Sequence, residues 1–203
     1  MLELDHIVVA ARRLDEGVAW VEQSLGVQMS GGGEHPLFGT HNRLLRLGAA
    51  YLEVIAINPV APAPKRPRWF GLDVFSGPPR LVSWVLRSDD LHRDLDSSPV
   101  ETGEVLALQR GDLRWSMTCS ASGVQPLGNS YPPILEWQGC PAFERLPQTD
   151  CHLQRLTLQH PQAAQLSAAL EPNFQDDRVL IRPGAVASLQ AEIQTPQGVR
   201  VLM

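Results

Sequence analysis

Leu4-Asp5-His6-Ile7-Val8-Val9-Ala10 and Tyr51-Leu52-Glu53-Val54-Ile55-Ala56-Ile57 bracket the stretch of sequence that decides the fold. Each is a short, β-branched-rich apolar run of strand length. His6 interrupts the first and Glu53 the second. Between them, residues 14–25 read as a helix: Val18, Val21 and Leu25 recur at i, i+3 and i+7 with Trp20 alongside, and Gly26 is a fitting C-terminal stop. Gly31-Gly32-Gly33 reads as a flexible polar break. Residues 43–47 are strand-like, Gly48-Ala49 is a tight turn, and residues 50–57 form the next strand. With a further strand expected around residues 27–30, residues 1–57 take the order β-α-β-β-β.

Working outward, residues 58–79 are too rich in proline for a helix or a central strand and read as a linker, with a short helical turn around Trp69 and Phe70 packing back onto the body. Residues 80–138 repeat the first order: a strand at 80–87, a short helix from Asp89-Asp90-Leu91, then strands at 106–109, 113–118 and 134–138. Gly111-Asp112 turns the chain between two of these strands. Residues 151–203 begin the same way a third time. A strand at 152–158 precedes an alanine-rich helix at 162–170, with Pro161 expected at its first position, and strands follow at 179–182, 189–194 and 199–202. The expected class is α+β, with an internal repeat.

The bulk numbers narrow the function. The chain has 203 residues, 43% of them hydrophobic and 19% charged, enough for a substantial core. Seventeen Lys and Arg against 22 Asp and Glu leave a net charge of −5, which argues against nucleic acid or an anionic membrane surface as partner. No apolar run is long enough to span a bilayer, and no signal peptide is visible at the N-terminus. The three cysteines, Cys119, Cys140 and Cys151, lack C-x-x-C spacing and read as thiols of a reducing, cytoplasmic protein.

Strand parity selects the candidate chemistry. His6 shares a face with Leu4 and Val8, and Glu53 with Tyr51, Ile55 and Ile57. Glu136, in Ile134-Leu135-Glu136-Trp137, occupies the matching strand of the second unit. A carboxylate among apolar neighbours needs a partner or a metal; the alternative is that Glu53 and Glu136 lie on the wet face of a half-exposed sheet. His6 is either a ligand or a core histidine bonded to a backbone carbonyl. His35, His41 and Asn42, in the glycine-bracketed loop at 33–42, are candidates for a pocket rim. Trp69, Trp84, Trp115 and Trp137 are core or pocket wall. The chain has no nucleophile elbow and no phosphate-binding glycine loop.

These motifs, taken in order, resemble the glyoxalase-like domain family of the vicinal oxygen chelate superfamily, from residue 3 to about 57 and more loosely through Ser83-Trp84-Val85-Leu86-Arg87 to Trp137. The resemblance implies two paired β-α-β-β-β modules whose eight strands curl around a cavity, with the C-terminal segment as an addition. It implies a divalent metal (Zn, Ni, Fe or Mn) held by His6, Glu53 and Glu136. The remaining ligand should fall near Ser83 or Trp84, neither of which suits a metal, so either His35 or His41 supplies that contact, or water does, or no metal binds. If the third segment replaces the middle one as partner, His152 approaches the site instead. Two functions follow. One is a metal-dependent lyase or isomerase acting on a small carbonyl compound, with Glu53 moving the proton. The other is a metal-free small-molecule binding protein of the antibiotic-resistance type, with Trp84 in an apolar cup. A homodimer stays open, although three repeat-like stretches favour pairing within one chain.

Overall fold

Two four-stranded halves meet edge to edge where β1 (Glu3–Ala10) pairs antiparallel with β5 (Arg80–Arg87). The computed structural model describes residues 1–203. On one side β1 lies parallel to β4 (Ala50–Ile57), followed by β3 (Thr40–Leu47) and β2 (Ser30–His35). On the other side β5 lies parallel to β8 (Ile134–Trp137), followed by β7 (Leu113–Cys119) and β6 (Glu104–Arg110). The order is β2-β3-β4-β1-β5-β8-β7-β6. The sheet curls until its free edges meet: Arg110 at the end of β6 rests on Gly33 of β2, where an added Cβ would stand 2.9 Å from the arginine Cγ.

Sequence periodicity explains which face each residue takes. Leu52 and Val54 point to the outer face, and Tyr51, Glu53 and Ile55 point inward. Helix α1 (Leu14–Leu25) lies on the outer face, burying Gly17, Val21 and Leu25. Gly17 is there because a Cβ would fall 2.5 Å from Val54 Cγ1. Gly26 ends the helix in the left-handed region, its N–H donating to the Glu22 carbonyl at 2.8 Å. Residues Trp69–Val74 form a short 3-10 segment, α2 (Leu91–Asp96) follows β5, and α3 (Ala142–Arg145) covers one end of the curled sheet with Phe143 and Leu146.

A second sheet covers the outside. It has the order β10 (Val179–Pro183), β9 (His152–His160), β11 (Ser188–Thr195), β12 (Gly198–Leu202), with α4 (Ala163–Leu170) against it. The element order repeats that of the two halves, but the pairing does not. Here the first strand sits between its successors, whereas in each half it flanks the last strand. The hydrophobic pattern reports elements and not their partners, and that is why a third equivalent unit was the reading from sequence. The middle segment is the one that pairs with β1, and His152 is exposed at the start of β9. Trp84, Leu86 and Ile134 of the curled sheet join Leu153, Leu156, Leu158 and Ile193 of the second sheet in the largest core.

Two local expectations need correction. The second strand is not at residues 27–30 but at Ser30–His35, and the triple glycine lies inside it. Gly32 has φ of 100°, and a Cβ there would lie 2.2 Å from the Asn42 carbonyl oxygen, so only glycine allows β2 to approach β3 this closely. Pro161 precedes the cap of α4 instead of opening the helix; Gln162 is the cap, and its N–H donates to His160 Nδ1 at 3.0 Å.

Candidate acid–base site

β1 and β4 are parallel neighbours, and their inward residues bring His6 and Glu53 together, with His6 Nε2 3.5 Å from Glu53 Oε2. Both are almost fully buried. Each is held by a partner of its own. His6 Nδ1 lies 2.6 Å from Asp5 Oδ1, and the other oxygen of Asp5 accepts from Trp137 Nε1–H at 2.8 Å. The Tyr51 ring stacks on the His6 imidazole at 4.4 Å. On the other side, the Gly33 N–H donates to Asn42 Oδ1 at 2.9 Å, which leaves the Asn42 amide nitrogen to donate to Glu53 Oε1 at 2.5 Å. Glu53 is therefore no residue of a wet face.

The charge states follow from these contacts. Burial works against a charged His6, but hydrogen bonds to Asp5 and Glu53 outweigh it and raise its pKa. Burial works against an ionised Glu53 too, yet the hydrogen bond and charge of His6, helped by His35 and Asn42, hold its pKa down at about 2. His35 goes the other way: burial dominates and its pKa falls to about 3, so it is neutral. Its Nδ1 lies 3.1 Å from Thr40 Oγ1.

His6, Glu53, His35, Tyr51 and Arg110 line a narrow chamber together with Trp69, Phe70, Trp115, Met117, Leu135 and Trp137. The space is about 20 Å³, room for one water. His35, Trp69 and Trp115 also line a much larger cleft of about 590 Å³ that opens outside, with Phe38, Leu37 and Leu108 along its walls. These three side chains therefore form the partition between cleft and chamber.

The other expected site residues are elsewhere. Glu136 points to the outer side of β8, away from Leu135 and Trp137, and its carboxylate accepts the Leu91 N–H at the start of α2 at 2.8 Å. It is a helix-terminus contact, because parity at Trp137 puts the indole inward and the neighbouring carboxylate outward. Trp84 is fully buried in the outer core, its Nε1–H donating to the Ser130 carbonyl and its ring meeting Phe174 edge-on at 5.4 Å, so it walls no cup. The residue of β5 that faces inward beside it is Val85. His41 points out of the curled sheet into a separate surface groove of about 870 Å³ with Arg12 and Arg43. Asn42 and His35 do reach the site.

Sequence reasoning missed Asp5 and Arg110. Simple alternation puts Asp5 on the face opposite His6. A register shift between the Leu4 and His6 pairs breaks that alternation, and Leu4 packs in the outer core while Asp5 bonds to His6 and Trp137. Arg110 ends a strand next to a turn, where an arginine ordinarily faces water; the bare Gly33 opposite is the signal that something long packs across it.

A divalent metal does not suit this donor set. Of the three expected ligands only His6 and Glu53 converge, no group of three or more His, Cys, Asp or Glu side chains is arranged around a common point, and the guanidinium of Arg110 shares the chamber.

Comparison with known proteins agrees with the geometry of the sheet. A family model described as a glyoxalase-like domain matches residues 4–174. No curated protein matches. A hypothetical protein from Staphylococcus aureus superposes with a TM-score of 0.66 at 15% identity, covering 93% of this chain and 88% of its own. Methylmalonyl-CoA epimerase from Mycobacterium tuberculosis gives 0.44 at 19% identity over 70% of this chain and 91% of its own. A Streptomyces coelicolor methylmalonyl-CoA epimerase, bound to 2-nitronate-propionyl-CoA, gives 0.45 at 15% identity over 67% and 97%. The first of these shows a shared fold. No helix of the chain is long and apolar enough to cross a membrane.

Proposed function

The chain belongs to the glyoxalase-like domain family, and from that membership we propose that it is a lyase or isomerase that moves a proton on a small carbonyl compound, with Glu53 and His6 as the acid–base pair. The observation that carries this reading is the 3.5 Å approach of His6 Nε2 to Glu53 Oε2 in a narrow, largely buried chamber, each side chain fixed from behind. The resemblance had implied a metal as the electrophile. In this reading the His6 imidazole, held by Asp5 and with its pKa raised by Asp5 and Glu53, takes the role of that electrophile as a hydrogen-bond donor.

A substrate reaches the chamber from the aromatic cleft by displacing the partition of His35, Trp69 and Trp115. Glu53 Oε2 takes the proton from the carbon next to the carbonyl. The C–H bonding pair moves into a carbon–carbon double bond, and negative charge collects on the carbonyl oxygen. His6 Nε2–H donates to that oxygen. Where that carbon carries a hydroxyl, passage of the hydroxyl proton to the old carbonyl oxygen and return of the abstracted proton to the old carbonyl carbon complete an isomerisation, with a new carbonyl at the first carbon. Where the next carbon carries a leaving group, re-formation of the carbonyl expels it with its bonding pair and completes an elimination. Once the carbonyl oxygen occupies His6 Nε2, Glu53 loses its donor, and its buried carboxylate becomes a stronger base at the moment it is needed.

The test is exchange of carbon-bound hydrogen for deuterium in small aldehydes, ketones and oxo-acids, followed by NMR. Glu53→Gln should abolish an exchange that the wild-type protein accelerates. The second reading, a metal-free binding protein, is favoured by the 590 Å³ cleft, a size that suits a drug-sized ligand. Tight ligand binding in the cleft with no exchange of any compound would select it over the enzyme.

A further inference from the structure

Arg110 is 8% exposed, it lines the chamber with His6 and Glu53, and none of the ten ion pairs in the chain includes it. The chain gives this guanidinium no carboxylate, and it is left as a charge available to an incoming anion. Nothing in the packing requires an arginine there; an aliphatic side chain lying across Gly33 would seal the same seam between β2 and β6. A second donor is also without an acceptor: the Nε1–H of Trp69, which lines the chamber too, is buried and bonded to nothing. Two unused donors, one of them cationic, around a space shared with an acid–base pair call for an anionic acceptor. The planar fork of arginine suits a carboxylate, which it can hold through two parallel bonds. A chamber with room for one water must open before either ion enters, and a flat carboxylate between flat rings needs less opening than a tetrahedral phosphate.

We propose that Arg110 anchors a carboxylate of the substrate, so that the compound handled beside Glu53 is a small oxo-acid anion. This rests on the acid–base reading for the reaction, but the anion site itself can be measured without turnover.

Binding of 2-oxobutanoate, 2-butanone and inorganic phosphate is measured by calorimetry and by quenching of tryptophan fluorescence, on the wild-type protein and on Arg110→Met, Arg110→Lys and Glu53→Gln. The expected result is that 2-oxobutanoate binds, and that 2-butanone and phosphate bind far more weakly. Arg110→Met should weaken 2-oxobutanoate by roughly tenfold to a hundredfold, the worth of a charge-assisted hydrogen bond. Arg110→Lys should recover part of the loss, and Glu53→Gln should still bind. Equal binding of the oxo-acid and the neutral ketone to the wild-type protein overturns the proposal even if every variant misfolds. So does unchanged 2-oxobutanoate binding in Arg110→Met, phosphate binding as well as the carboxylate, or no binding of 2-oxobutanoate at all. If the carboxylate binds through Arg110 but no compound exchanges hydrogen, the acid–base reading fails and the anion site stands. If neutral ketones exchange equally in wild type and Arg110→Met, the anion site fails and the acid–base reading stands.

Discussion

Asn42 donates its amide to Glu53 Oε1 across 2.5 Å while its own carbonyl oxygen is taken by the Gly33 N–H. The amide cannot flip without losing both bonds, so one strand neighbour fixes the orientation of the carboxylate on the next. Asn42→Ala should leave Glu53 partly unsatisfied. The expected loss is about 1–3 kcal/mol in stability, read by urea unfolding, with a rise in the Glu53 pKa.

Asp5 has the corresponding role for His6. Asp5→Asn removes the negative charge that raises the His6 pKa and leaves burial to pull it down. The imidazole should then lose its proton at a lower pH, seen in the shift of its ring C–H resonance by NMR. An unchanged midpoint would mean that Asp5 serves only to hold Trp137.

Acid should destabilise the protein in two windows. His35 ionises at its ordinary 6.5 when unfolded but at about 3 when folded, so the unfolded state binds the extra proton and stability falls as pH drops from 6.5 toward 3. Glu53 falls from 4.5 to about 2 on folding, so its contribution, present above 4.5, is lost as pH drops toward 2. His6 has the opposite sign: its raised pKa stabilises fully below 6.5, and that contribution fades as pH rises through the folded value. Urea midpoints of the wild type and His35→Gln between pH 7 and 4 check the first window, where the variant should show a shallower decline.

Trp84→Ala should unfold more easily by about 3–5 kcal/mol, because it empties a fully buried position in the large outer core. Ligand binding by whatever folded protein remains should change little. Glu136→Gln should do neither, costing at most about 1 kcal/mol at the start of a short helix.

Removing metals should leave the chemistry in place. Treatment with a chelator is expected to leave hydrogen exchange unchanged, and calorimetry with Zn, Ni or Mn should show no tight site. Stoichiometric uptake that vanishes in His6→Ala would reverse this conclusion.

Much of the fold was legible because short apolar runs of strand length flank a helical i, i+3, i+7 spacing within the first 57 residues. Parity then put His6 and Glu53 on the correct face. It failed at Asp5 because an irregular register between β1 and β5 resets the alternation, and no periodic pattern announces such a shift. Glu136 was misplaced because its position matched that of Glu53 in strand order but not in parity. Of the two readings of Trp84, core or pocket wall, the structure shows core, because the second sheet covers it and the sequence of β5 says nothing about that cover. Arg110 became visible only when β2 and β6 were seen to touch.

The curled sheet has a large core on its outer face and a smaller one on the chamber side. Cohesion and chemistry are thus assigned to opposite faces of the same strands. Most of the cohesion lies on the face turned away from His6 and Glu53, so a substitution toward the chamber should loosen the chain less than an equally large one on the outer side.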